Sequence, residues 1–247
     1  MPSNLLANNQ PIARVMVAGT GVMGAQIAFQ CAFSGVDVVA YDVDAACLVR
    51  ASARFDVLGR VYAVDFGAPR EQIEASLARI ESNTDIGSAV ADANLVIEAI
   101  PEDLAIKQSF YRALSAVAPA GTIFASNSST LVPSQFAIFT DRPERVLNLH
   151  FAHEVWKHNI AEVMGHQGTD PAVFERVVQF AHRIGMVPLP LRKEHPGYLL
   201  NTMLMPMLIA ALGLLVNDVA DVPTSTRRGW LQKETESARS EFSMESA

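Results

Sequence analysis

A histidine and a glutamate twelve residues apart, His150 and Glu162, stand out as residues that could move a proton. His150 ends the apolar run Val146-Leu-Asn-Leu-His150, and Glu162 lies inside Ile160-Ala-Glu-Val-Met164. A carboxylate in an apolar strand is costly unless something pairs with it. Pairing with His150 would satisfy it and fix the imidazole tautomer, as an orienting acid does for a general base. Spacing alone leaves a second reading open, a satisfied structural histidine beside an edge-strand glutamate.

The other chemistry-bearing stretch is Arg14-Val-Met-Val-Ala-Gly19-Thr-Gly21-Val22-Met23-Gly24. An apolar, β-branched run feeds a G-x-G-x-x-G turn, and a helical pattern follows at once. That order is what a phosphate-binding turn requires. Gly19 permits the tight turn, Gly21 lets a pyrophosphate approach the backbone, and Gly24 allows close helix–strand packing. The helix start offers N–H groups and a positive dipole end to the anion. The next strand, Val36 to Tyr41, ends at Asp42, eighteen residues beyond Gly24. An acid there accepts hydrogen bonds from an adenosine ribose. It also repels a 2′-phosphate, and no arginine follows before Arg50, so the pattern predicts NAD over NADP.

These residues need a scaffold, and the alternation of strand and helix signals supplies one. Strands are predicted at Val15–Ala18, Val36–Tyr41, Asn94–Ile100, Thr122–Ser126, Val146–His150, Ile160–Met164 and Val187–Leu191. Residues 44–79 read as helical with a break near Phe66-Gly-Ala-Pro69, and further helices follow at 103–117 and from the Thr169-Asp-Pro171 cap to Ile184. The pattern implies a Rossmann-type, mostly parallel sheet with helices on both faces. A uniformly apolar stretch, Tyr198 to Val216, follows His195-Pro-Gly197. Without a basic flank or aromatic belt it reads as a buried core helix and not as a membrane span.

Composition narrows the partners. The chain has 247 residues, half of them hydrophobic, with a net charge of −7. No basic stripe exists to neutralise phosphates, which argues against nucleic acid. Its two cysteines, Cys31 and Cys47, form no metal spacing and fit reduced thiols in a cytoplasmic enzyme. Histidines 150, 153, 158 and 166 are crowded but follow no metal-binding motif, so no metal is expected. The polar cluster Asn127-Ser-Ser-Thr130 closes a strand, where it could be a hydroxyl-rich turn or a contact to cofactor or substrate.

Taken together, five segments resemble the L-3-hydroxyacyl-CoA dehydrogenases over roughly residues 12–220. They are the glycine turn, Val96-Ile-Glu-Ala-Ile-Pro-Glu102-Asp-Leu-Ala-Ile-Lys107, Ser126-Asn-Ser-Ser129, Leu149-His-Phe151 and Pro196-Gly-Tyr-Leu-Leu-Asn201. The resemblance implies that His150 is the catalytic base, Glu162 its orienting acid, and that Ser129 and Asn201 contact the reacting part of the substrate. It implies an NAD site built from Gly19, Gly21, Val22, Met23, Gly24 and Asp42, with Glu102, Lys107, Ser129 and His153 completing it. Without the resemblance, Glu102 and Lys107 read equally as a solvated helix start.

The implied reaction is NAD-dependent oxidation of an L-3-hydroxyacyl-CoA, or its reverse, within fatty-acid β-oxidation, by an enzyme that the family makes a homodimer. A free hydroxy acid as substrate, or an NAD-binding protein with little turnover, are the alternatives. The family reads His-Phe-Phe-Asn-Pro where this chain has His150-Phe-Ala-His153-Glu154. Where the family uses Ser and Lys on CoA, this chain offers Arg54, Arg60 and Arg70. The expected organisation is a disordered lead (1–11), an NAD-binding domain (12–193), a truncated all-α remnant of the substrate domain (194–221) and a divergent, disordered tail (222–247).

Overall fold

The structure, a computed structural model, describes residues 11–219. Of the expected lead, 1–11, only Pro11 is among the described residues, and the expected tail, 222–247, lies outside them. The chain divides into two units, Met1–Tyr198 and Leu199–Ala247.

In the first unit β1 (Arg14–Ala18) leads into α1 (Val22–Phe33), then β2 (Asp37–Tyr41), α2 (Ala45–Phe66) and α3 (Arg70–Ala78). There follow β3 (Ile80–Asn83), α4 (Ile86–Val90), β4 (Leu95–Glu98), α5 (Leu104–Val117) and β5 (Ile123–Ser126). The short α6 (Ser134–Ala137), β6 (Val146–Phe151), β7 (Ile160–Gly165), α7 (Pro171–Arg183) and β8 (Val187–Leu191) complete it. The strands form one sheet in the order β3-β2-β1-β4-β5-β6-β7-β8. Every pair is parallel except β6 with β7, which is antiparallel. This is the mostly parallel, doubly covered sheet that the alternation predicts.

Period-two alternation along β1 builds both cores. Val15 and Val17 face one layer, where they join Phe29 of α1, Tyr62 of α2 and Val177 of α7. Met16 and Ala18 face the other, with Tyr111 and Leu114 of α5 and Phe136 of α6. Burial on both faces is why these strands are continuous apolar runs. The predicted helix break is real: Gly67 ends α2 in the left-handed region at φ 63°, and Pro69 caps α3. Asp170 caps α7 by accepting from the Ala172 amide, with Pro171 in the first turn.

Two elements escape a pattern search. β3 is the edge strand Ile80-Glu-Ser-Asn83, with no buried residue and no apolar alternation to betray it, and α4 is five residues long. The second unit holds α8 (Leu200–Val216), and here the expectation of a buried core helix is corrected, since none of its residues is buried. Apolar composition states a preference for burial, but a covering layer must come from other elements, and α8 is the only helix or strand among that unit's described residues. No described helix is long and apolar enough to cross a membrane.

Candidate active site

The glycine turn follows β1, the central strand at which the chain first leaves to one side (β2) and later returns on the other (β4). Ligands of open α/β sheets bind at such a switch point, at the carboxyl ends of the strands. Gly19 adopts φ 91°, and a Cβ there would lie 2.6 Å from the Ala99 carbonyl oxygen. A Cβ on Gly24 would lie 1.8 Å from the Gly19 carbonyl oxygen, so α1 can start where it does only because Gly24 has no side chain. Gly21, the N-cap of α1, differs: a Cβ there would meet no protein atom within 4 Å. Its bareness serves the open space in front of it. Val22 and Met23 form the first helical positions, where an α-helix leaves its N–H groups without intrahelical partners. The cradle fits a dinucleotide pyrophosphate.

A cavity of about 1050 Å³ opens from this turn, lined among others by Gly19, Gly21, Asp42, Arg50, Arg54 and Ile100. The Asp42 carboxylate accepts from the Thr20 amide at 2.9 Å and the Thr20 hydroxyl at 2.7 Å, which locks it to the glycine turn. Counting along the chain put no arginine near Asp42, and the fold corrects that count. Helix α2 begins just beyond Asp42, and Arg50 and Arg54, one helical turn apart, reach the same cavity. Arg54 also approaches the Thr20 carbonyl at 3.5 Å.

Beside this cavity lies a charge cluster with a buried centre. Lys107 is 1% exposed and pairs with Glu98 at 2.6 Å and Glu102 at 3.4 Å. Glu98 is fully buried and also accepts from the Ile100 amide and the Ser126 hydroxyl. One Glu102 oxygen accepts from the Ser128 hydroxyl, the Ser129 and Thr130 amides and the Thr130 hydroxyl. Burial pushes the Glu102 carboxyl up, but those hydroxyls, Lys107 and the Thr130 amide outweigh it and hold it down at about 2. Glu102 thus anchors the turn that carries half-buried Ser129. Neither Glu102 nor Lys107 lines the cavity; their neighbours Pro101, Ala105 and Ile106 do. The sequence signal for Glu98 is its place at the end of the run Leu95-Val-Ile-Glu98, where a carboxylate needs a buried partner.

His150 and Glu162 face each other across the antiparallel β6–β7 pair, as register partners. The imidazole Nδ1 lies 2.8 Å from Glu162 Oε2, with Glu162 fully buried and His150 7% exposed. β7 has a neighbour on each side, so Glu162 is not an edge-strand residue, and the two side chains form one pair. With Nδ1 engaged, Nε2 is the nitrogen left for exchange. Asn127 ties this strand end to the cofactor side, accepting from the Phe151 amide at 2.9 Å and donating its own N–H to the Glu98 carbonyl at 2.7 Å.

The remaining candidates are dispersed. His153 is exposed in the 152–159 loop. His158 faces Glu154 at 3.6 Å, and His166 Nε2 contacts the Pro143 carbonyl. No three His, Cys, Asp or Glu side chains converge as metal ligands among the described residues. Asn201 stands in the first turn of α8, in the second unit. Of the arginines considered for CoA, Arg54 reaches the cofactor cavity, Arg60 is exposed and Arg70 pairs with Glu74 at 2.6 Å.

Residues 14–195 match the model of the 3-hydroxyacyl-CoA dehydrogenase NAD-binding domain. The chain is 33% identical over 226 residues to the human mitochondrial hydroxyacyl-coenzyme A dehydrogenase, covering 88% of this chain and 72% of that protein. It is 30% identical over 211 residues to the 5-formyl-3-hydroxy-2-methylpyridine 4-carboxylate 5-dehydrogenase of Mesorhizobium japonicum, covering 85% of this chain and 67% of that one. Among solved structures, a diketoreductase acting on dicarbonyl compounds superposes with a TM-score of 0.84 at 49% identity, covering 89% of this chain and 78% of its own. Cradle, sheet order and family match agree: the chain belongs to the NAD-binding 3-hydroxyacyl-CoA dehydrogenase family.

Proposed function

We propose that this protein catalyses the NAD-dependent oxidation of L-3-hydroxyacyl-CoA to 3-oxoacyl-CoA, and the reverse reduction. The observation that carries the reading is the His150–Glu162 dyad at the carboxyl end of the strand array that also presents the glycine turn. NAD, when held on that turn, supplies the hydride acceptor for the carbinol carbon. His150 takes the 3-hydroxyl proton at Nε2, while Nδ1–H donates to Glu162. Glu162 stabilises the imidazolium that forms, in a site from which its own carboxylate cannot reach water. In reduction the same Nε2 returns the proton to the developing alkoxide. Ser129, held by Glu102, is assigned to the substrate oxygen.

A second reading has its own support. Two of the three arginines considered for CoA are otherwise engaged, and the diketoreductase is the relative at 49% identity. That favours a small dicarbonyl or free hydroxy acid substrate handled by the same dyad. Following NADH oxidation with acetoacetyl-CoA, acetoacetate and a free diketone separates the readings. The first expects kcat/KM to be highest by far with the thioester. Turnover of the free carbonyls alone would move the assignment to the second reading. NADH binding without turnover of any of them would reject both. His150→Ala should abolish turnover and leave NAD binding intact.

A further inference from the structure

We propose that Tyr198 is a positioning residue for His150, holding the plane of the imidazole in which Glu162 holds the edge. The inference rests on His150 acting as the base. A single hydrogen bond at Nδ1 pins one point of the ring and leaves it free to rock about that contact. Tyr198 supplies the missing constraint: its ring lies over the imidazole with centroids 4.8 Å apart and planes inclined by 36°. The Tyr198 side chain is itself fixed. It is fully buried, and its hydroxyl meets the Asn148 amide and approaches the Leu131 carbonyl at 3.4 Å.

The anchoring points belong to the site. Asn148 precedes His150 by two residues on β6, which places both on one face of the sheet. Asn148 also donates to the Leu131 carbonyl at 2.8 Å, and Leu131 lies two residues beyond Ser129. One tyrosine therefore touches the base and the strand and turn that carry base and Ser129. The backbone gives a further sign of purpose. Tyr198 sits at φ 55°, directly after Gly197 at φ 82°, in a region that favours glycine. A side chain kept in the left-handed region by its surroundings marks a position where placement outweighs local preference. Burial, first among several causes, keeps the phenol protonated far above neutral pH, so the hydroxyl remains a hydrogen-bonding group.

Two variants test this in the full chain. Tyr198→Phe keeps the ring and loses the hydroxyl; Tyr198→Leu loses the ring. Small misplacements of a reacting group cost up to about a hundredfold in rate. Tyr198→Leu should therefore lower kcat roughly ten- to a hundredfold, with substrate KM and NAD affinity within about threefold of wild type. Tyr198→Phe should restore kcat to within about threefold of wild type. A purely structural tyrosine would instead lower the melting temperature of both variants and leave kcat of the folded protein unchanged. A folded, NAD-binding leucine variant with near-wild-type kcat overturns the proposal, and so does a phenylalanine variant as impaired as leucine. Tyr198→Met, also without a ring, takes the place of leucine if that variant does not fold. His150→Ala, run alongside, separates the two claims. Full turnover there removes the base itself, whereas an inactive His150→Ala beside an active Tyr198→Leu removes only the positioning role.

Discussion

Replacing Glu162 by glutamine asks how much of the rate depends on a charge at that position. The side chain keeps its shape, and its carbonyl oxygen can still accept from His150 Nδ1–H, so geometry is nearly preserved. What is lost is the attraction between a carboxylate and the imidazolium that forms as the proton arrives. At the observed 2.8 Å contact the charge centres lie about 4 Å apart, and at an effective dielectric near 20 that attraction is worth about 4 kcal/mol. A retained neutral hydrogen bond returns about 1 kcal/mol or more. The loss is then about 1.5–3 kcal/mol, or roughly ten- to a hundred-and-fiftyfold in kcat. Folding stability should move the other way or not at all. Glu162 is fully buried, and exchanging a buried carboxylate for an amide removes a desolvated charge without opening a cavity. The assay is steady-state kcat beside thermal unfolding and NAD binding. A variant with unchanged unfolding, intact NAD binding and kcat within threefold of wild type would refute the imidazolium argument.

The glycine turn offers a contrast between two alanines: Gly24→Ala should cost about 1–3 kcal/mol of stability, since its Cβ would lie 1.8 Å from a backbone oxygen. Gly21→Ala, with nothing within 4 Å, should melt like wild type yet bind NAD more weakly, and equal NAD affinity would reject the cradle. Asp42→Ala should narrow the preference for NAD over NADP, because it removes a carboxylate from a cavity that Arg50 and Arg54 also line; an unchanged ratio of the two dissociation constants would count against it. Glu102, with its carboxyl held at about 2 against an ordinary 4.5, contributes stability that is present above pH 4.5 and lost as pH falls towards 2. Glu102→Gln should flatten the loss of stability across that window in acid unfolding, and an unaltered slope would contradict the assignment.

Local features of this fold were legible because their causes are local. The strand–glycine turn–helix at residues 14–33, the break at Gly67 and the Asp170-Pro171 cap each depend on a few adjacent residues, and each stands where the pattern put it. The pairing of His150 with Glu162 was legible as a need, since an apolar strand must supply a partner for its carboxylate. What stayed hidden was set by distant contacts. Glu98 is explained by Lys107 and Ser126, from two other elements. Arg50 and Arg54 enter the cofactor cavity because of the direction in which α2 leaves Asp42. Tyr198 was visible within a motif, but its role follows only from the ring it covers. For α8 the reading failed for another reason: an apolar run shows what a helix prefers, and whether anything covers it is a property of other segments.

The one antiparallel step in the sheet explains how a histidine and a carboxylate come to pair beside a cofactor cradle. In the parallel region, β1, β4 and β5 deliver their carboxyl ends to one end of the sheet, with evenly spaced, slanted hydrogen bonds between them. Reversing β7 sets His150 directly opposite Glu162, so that two side chains on one face meet without a long loop to place them. The reversal would leave the dyad isolated if β6 were not tied back. Asn127 does this, with its N–H on the Glu98 carbonyl and its side-chain oxygen on the Phe151 amide. The same Glu98 holds Lys107, which reaches Glu102, which in turn anchors Ser129. The strand end that carries His150 and the turn that carries Ser129 are therefore tied to one polar network centred on buried Glu98, and not to two separate loops.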